Sequence, residues 1–177
     1  VTLQPDSAEA WNARANVLYF QGRYDAAAEA LRHGLRLNPY LVTLQALDGQ
    51  LKLVQDRGEE SLAAIERAIA LNPVGPAQGV LMQQRGRAQL LLGRYEEAIR
   101  SAERAITFGA EWSDYMLLAA AYALNGNGDG AARARRELLK LRPEFTIGWH
   151  RELVGSRAQS RYVQTLHDGL ARAGVPK

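Results

Sequence analysis

The chain has 177 residues, of which 47% are hydrophobic and 23% charged, so it can bury a core and is not a disordered tail. Its 22 basic and 19 acidic residues leave a net charge of +3, far short of a nucleic-acid footprint. Cysteine is absent, which excludes disulfides, thiolate metal sites and a cysteine nucleophile, and no apolar run approaches the roughly 18 residues of a membrane helix.

The chain repeats itself. Pro5, Pro39 and Pro73 stand 34 residues apart, and Pro143 follows 70 later. Each of the last three closes a similar phrase: Leu37-Asn38-Pro39, Leu71-Asn72-Pro73 and Leu141-Arg142-Pro143. Gly22-Arg23-Tyr24-Asp25-Ala26-Ala27 returns as Gly93-Arg94-Tyr95-Glu96-Glu97-Ala98. A period of this length with two helical halves is the mark of stacked helix pairs.

In chain order, Val1 to Pro5 reads as the last turn of a preceding helix, so residues 1–7 are expected to end a truncated upstream repeat. The first full repeat, 8–41, carries Trp11, Ala15, Leu18, Gly22, Tyr24, Ala27, Leu31 and Pro39. The second, 42–78 with its linker, is degenerate, with Gln45 and Gly58 in aromatic columns and Asp56 in the glycine column. The third is 79–111 and the fourth 112–143, the latter with Arg135 and Leu138 where an apolar and a small residue are usual. Small residues recur in the first helices at Ala15, Gly49, Gly86 and Ala119, and in the second at Ala27, Ser61, Ala98 and Ala131, where paired helices must approach closely. Gly22, Gly93 and Gly126 occupy the turns between them.

This pattern resembles the tetratricopeptide repeat over residues 8 to 143. The resemblance implies an all-α, right-handed superhelical solenoid of four helix-turn-helix repeats. Residues 144–177 do not form a fifth repeat. A short helix through Val154 and a longer one from Arg157 to Ala173, N-capped by Ser156, are expected to cap the array, with Tyr162, Leu166 and Leu170 on one face and Gly174 ending the last helix.

The stretch from about 72 to 177 also resembles the closing region of bacterial class III adenylate and guanylate cyclases and of related winged-helix regulators. Arg142-Pro143-Glu144-Phe145-Thr146 and the run from Tyr162 to Pro176 carry that likeness. It implies a non-catalytic regulatory or docking arm of a larger signalling protein.

No catalytic constellation emerges. His33, His150 and His167 show no paired metal-ligand spacing, and no phosphate-binding glycine loop follows a strand. Asn125-Gly126-Asn127-Gly128-Asp129-Gly130 reads as an interhelical turn with Asp129 as N-cap, and Arg133, Arg136 and Lys140 as a solvated outer stripe. The expectation is a non-enzyme with no cofactor and no metal. Nucleic acid and membrane are not expected partners, and the location is expected to be cytoplasmic.

The first helices of such arrays line a concave groove. The resemblance places Asn12, Asn16, Tyr19, Phe20, Gln50, Gln83, Arg87 and Met116 on that face as candidate peptide-binding residues. The amides and Arg87 could bond a peptide backbone or carboxylate, and the aromatics and Met116 could take apolar anchors. The carboxylate clamp of chaperone-binding members is incomplete, because Asn12 stands where a Lys is expected. The partner is thus a protein, a peptide or a neighbouring domain of the same chain. The alternative is a free-standing adaptor, a monomer or weak homodimer that self-associates through its repeat edges.

Overall fold

A computed structural model describes residues 7–177. The expected end of a preceding repeat, Val1 to Asp6, lies outside them. The described residues are helical, with no strand. Four helix pairs run in order: α1 (Ala8–Phe20) with α2 (Tyr24–Leu37), α3 (Val42–Val54) with α4 (Gly58–Leu71), α5 (Gln78–Leu91) with α6 (Tyr95–Ile106), and α7 (Trp112–Leu124) with α8 (Gly128–Leu141). Then come α9 (Ile147–Val154), a 3-10 turn (Gly155–Gln159) and α10 (Arg161–Arg172). This is a helical-repeat solenoid, and α5 begins one residue ahead of the boundary expected at 79.

The small-residue columns set the pairing. Ala15, Ala27, Ala98, Ala119 and Ala131 are all buried, and Ser61 Oγ donates to the Gly49 carbonyl oxygen at 2.8 Å, joining α4 to α3. A Cβ on Gly86 would lie 2.9 Å from Leu117 Cδ2 and 3.3 Å from the Ala98 carbonyl oxygen. That position therefore sets the spacing of α5 to both α6 and α7. One core cluster joins α1, α2 and most of α3, and a second runs from Leu53 to Val175, so the tail shares a core with the later repeats.

The turns confirm the glycine column and show what its exception costs. Gly22, Gly93 and Gly126 sit at φ 74°, 73° and 78°, in the left-handed region. Asp56 fills the same place in the second pair at φ 61°, a conformation that costs a side-chain-bearing residue roughly 1 kcal/mol, less for Asp than for most.

Two capping expectations are corrected. Asn127, not Asp129, caps α8, its side chain accepting from the Gly130 amide at 2.8 Å. Ser160, not Ser156, caps the last helix, accepting from the Val163 amide at 3.4 Å. The reason for the second is Gly155 at φ 55°, which lets the chain enter a tight 3-10 turn before the helix starts. Gly174 does end α10 in the left-handed conformation expected, at φ 76°.

Replacing Gly86 with Leu overpacks three helices at once and is expected to destabilise the fold by about 1–3 kcal/mol. Thermal unfolding followed by circular dichroism should show a fall in Tm of several degrees. An unchanged Tm would mean that the spacing is not fixed at Gly86.

Candidate functional site

The tail does not simply extend the stack. Helix α10 turns back and lies across the concave side, packing against α7 and α5 and touching α3. Its apolar face, Tyr162, Val163, Leu166 and Leu170, is buried there. The tightest approach is at Gly169, where an added Cβ would come 2.8 Å from both the Cβ and the carbonyl oxygen of Ala120, so the two helices meet nearly backbone to backbone. Ala119, Ala120 and Ala121 of α7 are fully buried beneath it.

Both ends of α10 are held by residues that break the repeat pattern. Asp56 Oδ1 accepts from the Arg161 amide, the first of the helix, at 2.7 Å. Arg135 Nη1 donates to the carbonyl oxygens of Ala173 and Gly174 at 3.2 and 3.1 Å. An anion at the N-terminus and a cation at the C-terminus complement the helix dipole and satisfy backbone groups that the helix itself leaves unpaired. The Ile147 amide also donates to the Pro176 carbonyl oxygen at 2.8 Å, tying the last residues to the start of α9.

The 3-10 turn carries the tail over to the first repeat. Ser156 Oγ lies 3.4 Å from Tyr24 Oη, and a Cβ on Gly22 would touch that same Oγ at 2.9 Å. The Arg157 guanidinium stands 5.7 Å from the Tyr19 ring centre and 6.0 Å from that of Phe20. Beside this bridge, Phe145, Trp149 and Trp112 form an aromatic cluster at centroid separations of 5.8 Å, with the Arg142 guanidinium 4.4 Å from Trp149.

The groove residues expected from sequence are thus divided. Tyr19, Gln50, Arg87 and Met116 are brought together around one cavity of about 230 Å³ between the concave face and the tail. Tyr19 and Met116 are buried there, so neither is an open anchor for an incoming peptide. Gln83 is engaged within the solenoid, its Nε2 donating to Ser113 Oγ at 2.8 Å and Asp114 Oδ1 at 2.6 Å. Asn16 Nδ2 donates to the Asn12 carbonyl oxygen at 2.9 Å and to Asn12 Oδ1 at 3.2 Å, so the two amides hold each other. Phe20 stays 70% exposed. Arg133, Arg136 and Lys140 lie on the outer side of α8, while Arg135 is drawn to the tail.

The structure also joins two histidines that the sequence shows far apart. His150 Nδ1 of α9 lies 2.9 Å from His167 Nε2 of α10, and both rings are buried. Burial, then His167, Arg87 and Arg157 push His150 down to about 4, and burial, then Arg151, lowers His167 as well. The pair is held neutral at pH 7, one ring donating to the other. Among the described residues no cluster of three or more metal-ligating side chains exists. Among them, too, no helix is long and apolar enough to cross a membrane.

Residues 8–41 and residues 81–108 each match the tetratricopeptide repeat family. These are the first and third helix pairs, which keep the pattern best. No curated protein matches the chain. Among solved structures, PilW, described as a widely conserved type IV pilus biogenesis factor, superposes with a TM-score of 0.76 at 20% identity, over 95% of this chain and 77% of that one. A thermophilic TPR protein of Thermus thermophilus gives 0.70 at 20% identity, over 92% and 83%. YrrB, described as a TPR protein with an unusual peptide-binding site, gives 0.65 at 16% identity, over 95% and 89%. These likenesses establish the fold and not the ligand. The likeness of residues 72–177 to the cyclase-associated tail is not among these findings.

The tail's anchors can be removed one at a time. Asp56→Gly removes the backbone strain and loses the tie to α10, and Arg135→Ala loses the other tie. Each is expected to weaken tail docking by about 0.5–1 kcal/mol. Hydrogen exchange of the α10 amides should therefore rise about two- to fivefold in each variant, with the core of α1 and α2 unchanged. Equal exchange in both variants and the parent would refute the anchoring.

The histidine pair makes stability depend on pH. Unfolded, an imidazole takes its proton near 6.5, whereas folded His150 resists it until about 4. Below pH 6.5 the unfolded chain binds more protons than the folded one, so stability is retained above that pH and falls between 6.5 and 4. The loss attributable to His150 is on the order of 2–3 kcal/mol. Urea unfolding across this window should show a shallower decline for His150→Gln than for the parent, and parallel curves would remove the pair from the pH response.

Proposed function

We propose that this chain is a protein-interaction module whose concave face takes an amphipathic helix. The observation that carries the reading is α10 itself. It lies on α3, α5 and α7 with its apolar face down and small residues at the closest approach. A helix laid into a groove is a common way for helical surfaces to recognise partners. The likeness to YrrB, whose description includes a peptide-binding site, supports the same class of ligand.

In this reading the module is a non-catalytic docking arm of a larger bacterial signalling protein, working in the cytoplasm. Its own tail helix fills the groove from α3 to α7. The N-terminal end, at Asn12, Asn16 and Phe20 of α1, remains for a partner or for another domain of the same polypeptide. Phe20, 70% exposed beside Arg157, supplies an apolar and cationic edge where an incoming helix would first be held.

A photo-crosslinking residue at position 16 or 20, in the chain expressed in its source cells, tests the groove. Crosslinked partner peptides are expected from these concave positions and not from matched positions on α2 and α4. Partner crosslinks confined to α2, α4 and α6 would place recognition on the outer face and overturn the reading.

A further inference from the structure

The cavity beneath the tail has a chemistry that helix docking does not use. Its walls come from the repeats and the tail together, so it exists only while α9, the 3-10 turn and α10 cover the groove. At about 230 Å³ it is well beyond the space a single water needs and can admit a small molecule. Leu153, 52% exposed, stands at its rim, so the space communicates with solvent.

The polar groups facing it are one-sided. Arg87 and Arg157 both line it, and among the described residues no carboxylate does. Neither arginine forms an ion pair among the described residues. Arg87 Nε is buried without a hydrogen-bond partner. One turn away on the same helix, Gln84 Oε1 is also buried and also without a partner, in a side chain only 5% exposed. A buried donor and a buried acceptor left open cost free energy unless something satisfies them. Arg157 is oriented by donating from Nε to the Val154 carbonyl oxygen at 3.1 Å. The rest of the wall is largely apolar, with Leu53, Val54, Ile65 and Met116.

We infer that this cavity is a binding site for a small amphipathic carboxylate that also carries a hydrogen-bond donor, such as an acylated amino acid. The carboxylate would meet the Arg87 guanidinium, with Arg157 adding positive charge. The ligand's N–H or O–H would donate to Gln84 Oε1, and its hydrocarbon part would lie on Leu53, Val54 and Met116. A doubly charged phosphate fits less well, because the apolar part of the wall offers it nothing in exchange for its hydration. Because the tail forms one side of the site, a bound ligand stabilises the closed tail by mass action. The same carboxylate chemistry could be offered by the free C-terminus of a peptide, and the small volume of the cavity favours the small molecule.

N-acetyl-leucine is the probe, titrated calorimetrically into the intact chain. N-acetyl-leucinamide, which lacks the carboxylate, and a pentapeptide ending in leucine are the comparisons. Saturable binding of N-acetyl-leucine is expected, at least about tenfold weaker for the amide and for Arg87→Gln, equivalent to about 1.4 kcal/mol. Arg87→Lys, which keeps the charge and loses the planar fork, is expected to fall between. Saturating probe should also slow hydrogen exchange in α10. Arg87 forms no ion pair among the described residues and its Nε is buried without a hydrogen-bond partner there, so replacing it should not lower the Tm of the ligand-free chain. Three results would each overturn the inference: no saturable binding, equal affinity in Arg87→Gln, or a lowered ligand-free Tm in that variant, which would make Arg87 structural. A pentapeptide binding as tightly as the probe would reassign the site to chain termini.

Discussion

The concave side of this molecule depends on how closely α10 can approach α7. Gly169 and Ala120 meet with no larger side chain between them, and only that separation lets Leu166 and Leu170 reach the buried layer on the same face. A glycine inside a helix costs about 0.5–1 kcal/mol relative to alanine. Here it permits a contact that no larger residue could make. With α10 at that distance its ends fall beside Asp56 and Arg135, and the 3-10 turn before it falls over Tyr19, Gly22 and Tyr24. One close contact thus fixes the position of a segment that reaches all four helix pairs.

Two properties follow from that placement. The solenoid is clasped, since a tail that leaves the fourth pair returns to the first, and flexing of the repeats is opposed by contacts between distant parts of the chain. The groove is also unequal along its length. From α3 to α7 it is filled by the chain's own helix, and its N-terminal end is bounded by α1. Between them lies a small space lined by an apolar wall and by two arginines that form no ion pair among the described residues. Whatever occupies that space, whatever lies on α1 and the position of the tail are linked thermodynamically, because all three share Arg157 and the 3-10 turn.

The repeat architecture was legible because it is written in spacing. Prolines, interhelical glycines and small-residue columns each report a local geometric need, and helix pairs satisfy those needs one at a time. The tail was less legible. Tyr162, Leu166 and Leu170 announce a buried face, but a helix that stacks on the end of an array and one that folds back over its groove bury the same kind of face. The signal that distinguishes them lay in the exceptions. Asp56 in a glycine column and Arg135 in an apolar column look like decay of the motif, and both turn out to be the anchors of α10. The pairing of His150 with His167 had no sequence signature, since it joins two tail helices across a turn whose geometry is set by Gly155. Ser156 was a plausible cap that lost to Ser160 for the same reason.

The position of α10 across the groove can be measured directly, because the chain has no cysteine of its own and two introduced ones are unique. Spin labels at Gln55→Cys, after α3, and Gln164→Cys, on the exposed side of α10, report the separation of tail and second repeat by pulsed electron paramagnetic resonance. A single narrow distribution at short distance is the result expected of a tail seated on the concave face. A broad distribution, or one centred at the length of the array, would show that α10 extends the stack or moves freely, and would contradict the folded-back tail from which the cavity, the anchors and the divided groove all follow.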